Sequence, residues 1–581
     1  MTLLQQIESA LSGAFEKVLG EKVATPVVAA ADLRFGDYQS NAAMALAKSR
    51  GMNPRELASK VLEAVDLGEG ATADIAGPGF INIRISPEKF SAHTAELLAD
   101  DRLGVPAVGD GRTVVIDFSA PNVAKPMHVG HIRSTILGDS LSRIARCLGF
   151  RVITDNHIGD WGTQFGMILH GWKTRLDEAA LEADPVTELV GVYRSVNAEA
   201  KEDPAVMETC KAELVKLQAG DEENLAIWSR CVELSKSGLQ KIYDRLDVSF
   251  DHWLGESFYN DRLSGLVDEF LAKDLARVSD GAVCVFSSGE LPDEQDPFRI
   301  HKEEGWTDNP AIIRKADGGF LYATTDLATV EHRIDEWKAD EIWYVVGAPQ
   351  QMHFRQIFDA SRRWGKEAGF HHIAFGSILG EDRKLMKTRS GDNVQLSDVL
   401  AEAVERADKV IAEKNPSLPD EERSEIAEIV GIGAVKFAEL SQHRLTDYVF
   451  SWDRMLALQG DTAPYLQYSF VRIRSIFRKL EDAFDASSVK PVLTEDAEVH
   501  LARLLARYGE VVPTLLDDHR PNLLANYLLE LARAFHSFFE ACPVLKAEPA
   551  VRDSRLALCE LAARVLEHGL GLLGIRCPER M

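Results

Sequence analysis

An α/β protein is predicted, built on a Rossmann-like doubly wound parallel sheet with an insertion, an N-terminal α+β domain and an all-helical C-terminal domain. Three observations predict it. From Arg112 onward short apolar runs of strand type alternate with stretches of helical period, the pattern of a chain wound on a parallel sheet. A long, acidic, mostly helical stretch interrupts that alternation. Beyond about Leu396 strand patterns stop and amphipathic helices follow.

The elements run in this order. The first 110 or so residues mix helical stretches such as "NAAMALAKSRGMNPRELASKVLEAV" with the alternating run "GFINIRIS", a small α+β unit over residues 1–110. "TVVIDF" then reads as a buried strand. Ile132, Ile136, Leu137, Leu141, Ile144 and Leu148 fall on one helical face, and "GFRVITD" returns as a strand. "EIWYVVGAP" and "HIAFGSILG" supply two more, so the sheet domain covers 111–395 with its insertion at about 172–310. A helical connecting region over 396–450 leads into helices such as "RPNLLANYLLELARAFHSFFEA" in 451–581.

At 581 residues the chain is too long for one core. Its start carries no basic leader with a long apolar core, and no window approaches the roughly 18 apolar residues of a membrane helix. Seven cysteines without a CxxC pair argue against a zinc knuckle and a disulfide framework, so no metal site is predicted and the cytosol is the default. The net charge of −26 argues against binding nucleic acid through a broad basic face. Much of that excess is local, as in "SGELPDEQDP". One basic patch is visible in "VRIRSIFRKL", where Arg472, Arg474, Arg478 and Lys479 lie within about two helical turns; the alternative is a solvated helix face.

The chemistry concentrates in "SAPNVAKPMHVGHIRS", between the first strand and its helix. Ligands of an open α/β sheet bind beyond the C-terminal ends of the strands, where helix N-termini present N–H groups to anions. His128 and His131 would lie at that junction, with Gly130 letting a flat ring or a phosphate approach the backbone. A pair of metal ligands and two structural capping histidines are the alternatives. Lys125 and Arg133 bracket the same turn with positive charge, which favours a nucleotide. Some 250 residues on, "GEDRKLMKTRSGDNVQLSDVL" is a short basic loop flanked by glycines that can clamp phosphates, against the alternative of an exposed basic turn.

"HVGH" resembles the HIGH signature of class I aminoacyl-tRNA synthetases, and "MKTRS" is similar to a degenerate form of their KMSKS loop. "NHIGDWGTQFG", "DGGFLYATTDLA", "GIGAVKFAELSQHRLTDYVFSWDRMLALQGDTAPYLQY", "FGDYQSNAAMALAK" and the terminal "PERM" extend the resemblance over most of the chain, to the bacterial arginyl-tRNA synthetases. The resemblance implies ATP-dependent activation of L-arginine to an adenylate, with Mg2+ accompanying the ATP and no dedicated protein site for it, then transfer to the terminal adenosine of tRNA(Arg). It further implies a cytoplasmic monomer, tRNA bound before arginine is activated, an elbow-binding N-terminal domain, a stem-contacting connection and an anticodon-binding C-terminal domain.

Site residues follow by the same resemblance. His128, Gly130 and His131, with Met386, Lys387 and Thr388, would hold ATP. Thr388 stands where KMSKS has its second lysine, so Lys125 is expected to supply the missing charge, with Arg389 as runner-up. A guanidinium is a planar fork of five donors that never loses its charge, so its pocket needs carboxylates. Asp117, Asp326 and Tyr322 are expected to grip it, with Glu256 as a further acid and Asn122 and Gln350 on the amino acid's other end. Ala120 falls where the family often has serine. Tyr465, Arg472, Arg474 and Arg478 would touch tRNA, beside Tyr468 and Phe470; aromatics at this helical spacing are more often core. Two rivals stay open: a catalytically silent paralogue that binds tRNA, and a synthetase for a different amino acid.

Overall fold

The structure, a computed structural model, describes residues 1–581 except 381, 385 and 387–393, and the side chain of residue 163. The described chain divides into two compact units, Gly109–Leu456 and a second made of Met1–Val108 with Ala457–Met581.

At the centre of the first unit is a four-stranded parallel sheet in the order Gly369–His372, Glu341–Tyr344, Thr113–Asp117, Arg151–Asp155. All five residues of Thr113–Asp117 are buried, which is why this strand reads as an unbroken apolar run. The chain leaves it for Arg151–Asp155 on one side and returns to Glu341–Tyr344 on the other. The winding therefore reverses at the C-terminal ends of Asp117 and Tyr344, which stand opposite each other in register. Val115, Ile153 and Ile342 pack against Leu327 and Val330 of the Tyr322–Asp335 helix and Ile357 and Phe358 of Gln351–Arg363. Helix Ile132–Cys147 lies so close to the chain after the first strand that a Cβ on Gly138 would fall 2.2 Å from Phe118 Cγ.

The insertion begins as expected, with helices Glu178–Ala183, Pro185–Glu202, Pro204–Gln218 and Glu222–Arg245. Leu189, Leu217, Cys231 and Val232 from them close over Val123 and Ala124 of the signature loop. Its last part is not helical. Arg277–Ser279, Ala282–Val285 and Ala311–Arg314 form an antiparallel sheet, and Arg299–Lys302 pairs with Gly305–Asp308. The first hairpin turns on Asp280 and Gly281, both left-handed at φ 49° and 80°, the geometry that an Asp-Gly pair supplies. Two further differences concern strands. The fourth sheet strand is Gly369–His372, ahead of the apolar "IAF"; the last tie to its neighbour is the Ile373 N–H, which donates to the Tyr344 carbonyl at 2.8 Å. Ile378–Leu379 instead pairs with Tyr448–Val449, a strand inside the region expected to be all-helical.

The second unit joins a four-stranded antiparallel sheet, ordered Val27–Ala29, Tyr38–Ser40, Phe80–Ile85, Ala71–Ala76, to helices including Ala463–Phe477, Asp496–Ala506, Asn522–Ala541 and Pro549–Leu572. Helix Leu3–Leu19 starts with a capping box of Thr2 and Gln5. Glu510 ties the two stretches together, accepting from the Leu4 N–H at 3.0 Å and the Tyr38 hydroxyl at 2.8 Å.

Candidate active site

The signature loop is strained and nailed down. Ser119, Ala120 and Ala124 are left-handed at φ 72°, 45° and 57°, a conformation non-glycine residues hold only when their surroundings enforce it. The Ser119 hydroxyl lies 2.7 Å from the Tyr243 hydroxyl and 2.8 Å from that of Thr135. Backbone N–H groups of Ala120 and Ala124 donate to Asn156 Oδ1 and Ser235 Oγ, each at 3.1 Å. Asn156 and Ser235 come from the second strand's end and the insertion, so both elements hold the loop in shape.

His128 and His131 follow as a tilted pair, ring centroids 4.0 Å apart. Each Nδ1 accepts a backbone N–H at 3.1 Å, from Gly130 for His128 and from His128 for His131. An Nδ1 that accepts cannot carry the proton, so both rings are neutral with their hydrogen on Nε2. Burial reinforces this, lowering His128 and taking His131 down to about 4, with the neighbouring His128 acting in the same direction. Among the described residues neither Nε2 has a hydrogen-bond partner. A Cβ on Gly130 would fall 2.8 Å from Cε1 of His128, whose ring folds back over it.

The far end of the second loop is stitched to the first. The Val129 N–H donates to the Val394 carbonyl and the Leu396 N–H to that of Met127, both at 2.9 Å. At its near end the Met386 N–H reaches the Ile378 carbonyl at 3.4 Å. Lys387, Thr388 and Arg389 lie outside the described residues. Lys125 sits with its Nζ 5.4 Å from the Tyr193 ring, on the wall of a cavity of about 280 Å³ that Val186, Leu239 and Gln395 also line. Arg133 is not part of a cationic bracket. It is buried and turned inward, with Nε 2.9 Å from Glu439, whose own carboxyl burial pushes up to about 7.

The acids divide into two groups. Asp117 is buried against Arg333, whose Nη2 lies 2.7 Å from it and 2.8 Å from Asp155. Burial nonetheless raises the Asp117 carboxyl, against the pull of Arg333. Its charge is therefore answered from within the protein, a partner 216 residues away that sequence spacing did not reveal. Asp326 stands one turn after Tyr322 on the Tyr322–Asp335 helix, as expected, and accepts from His353 Nε2 at 2.5 Å. Glu256 opens a short 3-10 turn that Asp160 holds by accepting the Ser257 N–H at 2.8 Å and hydroxyl at 2.7 Å. The Glu256 carboxyl is pushed up to about 7, by burial first; His157 opposes this, and Asp326 and Asp160 add to it. Asn122 is exposed and bridged to Gly159, and Gln350 is exposed at the end of the Ala348–Gln350 turn. Sequence reasoning missed His353; its spacing of three from Gln350 was the available signal.

In the other unit, Tyr465, Tyr468 and Arg472 lie along the Ala463–Phe477 helix. Tyr468 is exposed, Phe470 is core, and Tyr465 is half-buried with its ring 5.5 Å from that of His536. Arg472 lies 3.1 Å from His536 Nδ1 and over the Phe539 ring at 4.6 Å. Arg474 is held by carboxylates, 2.7 Å from Glu560 and 3.6 Å from Glu567. Exposed Arg478 donates to the Glu579 carbonyl at 3.0 Å.

Three sequence families match the chain. "tRNA synthetases class I (R), catalytic domain" covers residues 93–452, "DALR anticodon binding domain" residues 466–581, and "Arginyl tRNA synthetase N terminal domain" residues 1–85. Relatives include the arginine–tRNA ligases of Laribacter hongkongensis, 44% identical with all of both chains covered, and Thermobifida fusca, 44% identical over 100% of this chain and 99% of that one. Among solved structures, the arginyl-tRNA synthetase of Plasmodium falciparum superposes with a TM-score of 0.83 at 27% identity, over 100% of this chain and 99% of the other. That of Thermus thermophilus does so with a TM-score of 0.81 at 26% identity, over 100% of both.

Proposed function

The chain belongs to the class I arginyl-tRNA synthetase family, and from that premise we propose how its own residues carry the reaction. It is an arginine–tRNA ligase. A carboxylate oxygen of arginine attacks the α-phosphate of ATP and pyrophosphate leaves; a ribose hydroxyl of the terminal adenosine then attacks the aminoacyl carbonyl and AMP leaves. Neither step needs a nucleophile from the protein. What it needs is alignment and donors where negative charge builds on the phosphates.

The observation that carries the reading is the pair of neutral imidazoles at the switch point of the sheet, both with Nε2–H available to donate. His128 and His131 hold the triphosphate and ribose, and Gly130 and Met386 frame the same site. Lys387, Thr388 and Arg389 belong to the proposal on sequence grounds alone. ATP arrives with Mg2+. Asp326, Glu256 and Tyr322 take the guanidinium, Asn122 and Gln350 the other end of arginine, and Asp117 acts from behind through Arg333. Lysine would answer one acid and leave the other unpaired, which is the source of rejection. Residues 1–110 contact the tRNA elbow, 396–450 a stem of the tRNA and 451–581 the anticodon. The enzyme works as a cytoplasmic monomer; among the described residues no helix is long and apolar enough to cross a membrane.

Purified enzyme should exchange pyrophosphate into ATP in an arginine-dependent way, measured with and without tRNA, and should charge arginine-accepting tRNA against competing lysine. A silent tRNA-binding paralogue would bind the tRNA and do neither. Lys125→Ala should cost adenylate formation about 1.5–3 kcal/mol, the worth of a charge-assisted bond, while leaving arginine binding nearly intact. An unchanged exchange rate would remove Lys125 from the mechanism and leave it as packing for Tyr193.

The raised Glu256 carboxyl gives a signed pH effect. Only its ionised form attracts a guanidinium, so the KM for arginine should rise as pH falls through about 7, by at most about tenfold per unit. Glu256→Gln should flatten that limb and show a high KM throughout. For tRNA, Arg472→Ala should weaken binding and reduce the slope of log affinity against log salt by roughly one. Arg474→Ala, whose charge Glu560 and Glu567 already answer, should change stability and not the slope.

A further inference from the structure

His353 is tied on two sides to the pair assigned to the guanidinium. Its Nε2 lies 2.5 Å from Asp326 Oδ2, and its ring meets the Tyr322 ring edge-on at a centroid distance of 4.7 Å. The His353 and Asp326 side chains are only 11% and 17% exposed, so their bond forms away from bulk water, where it is stronger. An ionised carboxylate accepts and cannot donate, which places the shared proton on Nε2 and leaves Asp326 Oδ1 for another partner.

The helix alone does not fix that carboxylate. Tyr322 and Asp326 share a face at i and i+4, which sets their backbones, but an aspartate still turns about two side-chain bonds. His353 removes this freedom, and it does so from the first turn of the Gln351–Arg363 helix, three residues after Gln350. One rigid segment thus carries both the residue assigned to the far end of arginine and the brace on the residues that read its guanidinium.

We propose that His353 is a positioning residue that sets the distance and plane at which Asp326 and Tyr322 meet the guanidinium, and so sharpens the choice of arginine over lysine. The proposal rests on the assignment of Asp326 and Tyr322 made above. Discrimination follows from shape: a guanidinium is a planar fork that needs a fixed carboxylate plane, whereas an ammonium is a point charge that tolerates a turned one. Loosening Asp326 should therefore harm arginine more than lysine.

Three variants separate the contributions. His353→Phe keeps the ring against Tyr322 and loses the hydrogen bond, His353→Gln keeps a donor near the position of Nε2, and His353→Ala loses both. Exchange kinetics should show His353→Phe raising the KM for arginine about tenfold or more, with the KM for ATP within about twofold of wild type, as expected for a misplacement confined to one end of the substrate. The preference for arginine over lysine should fall in parallel, and His353→Gln should recover most of both losses. Asp326→Asn serves as the reference. If it raises the arginine KM and His353→Phe does not, or if His353→Phe raises both KM values together with a lower melting temperature, this inference is wrong and the pocket assignment stands. If Asp326→Asn leaves the arginine KM unchanged, the pocket assignment itself is wrong and the role of His353 falls with it.

Discussion

Replacing His131 with alanine is expected to slow arginyl-adenylate formation by about a hundredfold to a thousandfold, the roughly 2.7–4 kcal/mol typical of losing a preorganised donor from a site of developing negative charge. His128→Ala should do the same to a similar extent. The structure permits a sharper comparison than alanine. An asparagine at 131 can still accept the His128 N–H through Oδ1, preserving the turn that His131 Nδ1 closes at 3.1 Å, yet it has no group at the place of Nε2. His131→Asn should therefore fold like wild type, bind ATP nearly as well, and lose kcat as fully as His131→Ala. Glutamine reaches further and should retain part of the rate. Because burial, with the neighbouring His128, holds His131 neutral, its proton inventory should not change between pH 6 and 9, and the rate should show no decline from that residue across this range. Pyrophosphate exchange at saturating arginine, run at several pH values, measures all of this. A rate that fell by tenfold per unit above pH 6.5 would mean that imidazolium, not imidazole, does the work.

Much of that site could be read in advance, and the reasons are specific. Thr113–Asp117 is buried on every residue, so its apolar run is continuous and marks the centre of the sheet. Ile132, Ile136, Leu141 and Ile144 are all buried, as their helical spacing required, which put the histidines at a strand-to-helix junction. The strands Val27–Ala29 and Tyr38–Ser40 are only three residues each, too short to carry a period. The hairpin at Asp280 and Gly281 did carry its signal, in a dipeptide that the surrounding acidic and helical stretches overshadowed. Charge was the least legible property. Arg133, Arg474 and Asp117 all look available in sequence, and each is answered by a partner brought in by folding: Glu439, Glu560 and Arg333. Spacing along a chain shows which residues share a face of one element; it does not show which distant element will neutralise them.

Arg333 is the strongest case, and removing it should have the largest effect on stability. Its guanidinium is fully buried, with Nη2 shared by Asp117 and Asp155, and these two carboxylates stand opposite each other at the ends of adjacent strands. Arg333→Met would fill much of the same space yet leave two buried acids facing one another. Breaking a buried pair in this way typically costs about 3–5 kcal/mol, seen as a fall of roughly 4–7 °C in the melting temperature of a unit of this size. The sign of the pH dependence identifies the cause. Without the guanidinium both carboxyls would have folded pKa values above their unfolded ones, so the penalty belongs to their ionised forms: it is full above the folded values and shrinks as pH falls through them. Melts of Arg333→Met and wild type should therefore draw together as pH is lowered from 8 toward the ordinary carboxylate range. Adding Asp155→Asn should restore part of the loss at pH 8 and progressively less as pH falls. A deficit independent of pH would place the cost in packing against Tyr344, whose ring lies 5.2 Å from the guanidinium, instead of in charge. The same variants bear on catalysis, because Asp117 ends the strand that leads into the signature loop. A KM for arginine at pH 8 within about twofold of wild type is the expected result if Asp117 acts only through Arg333, because its carboxylate then makes no contact with the guanidinium.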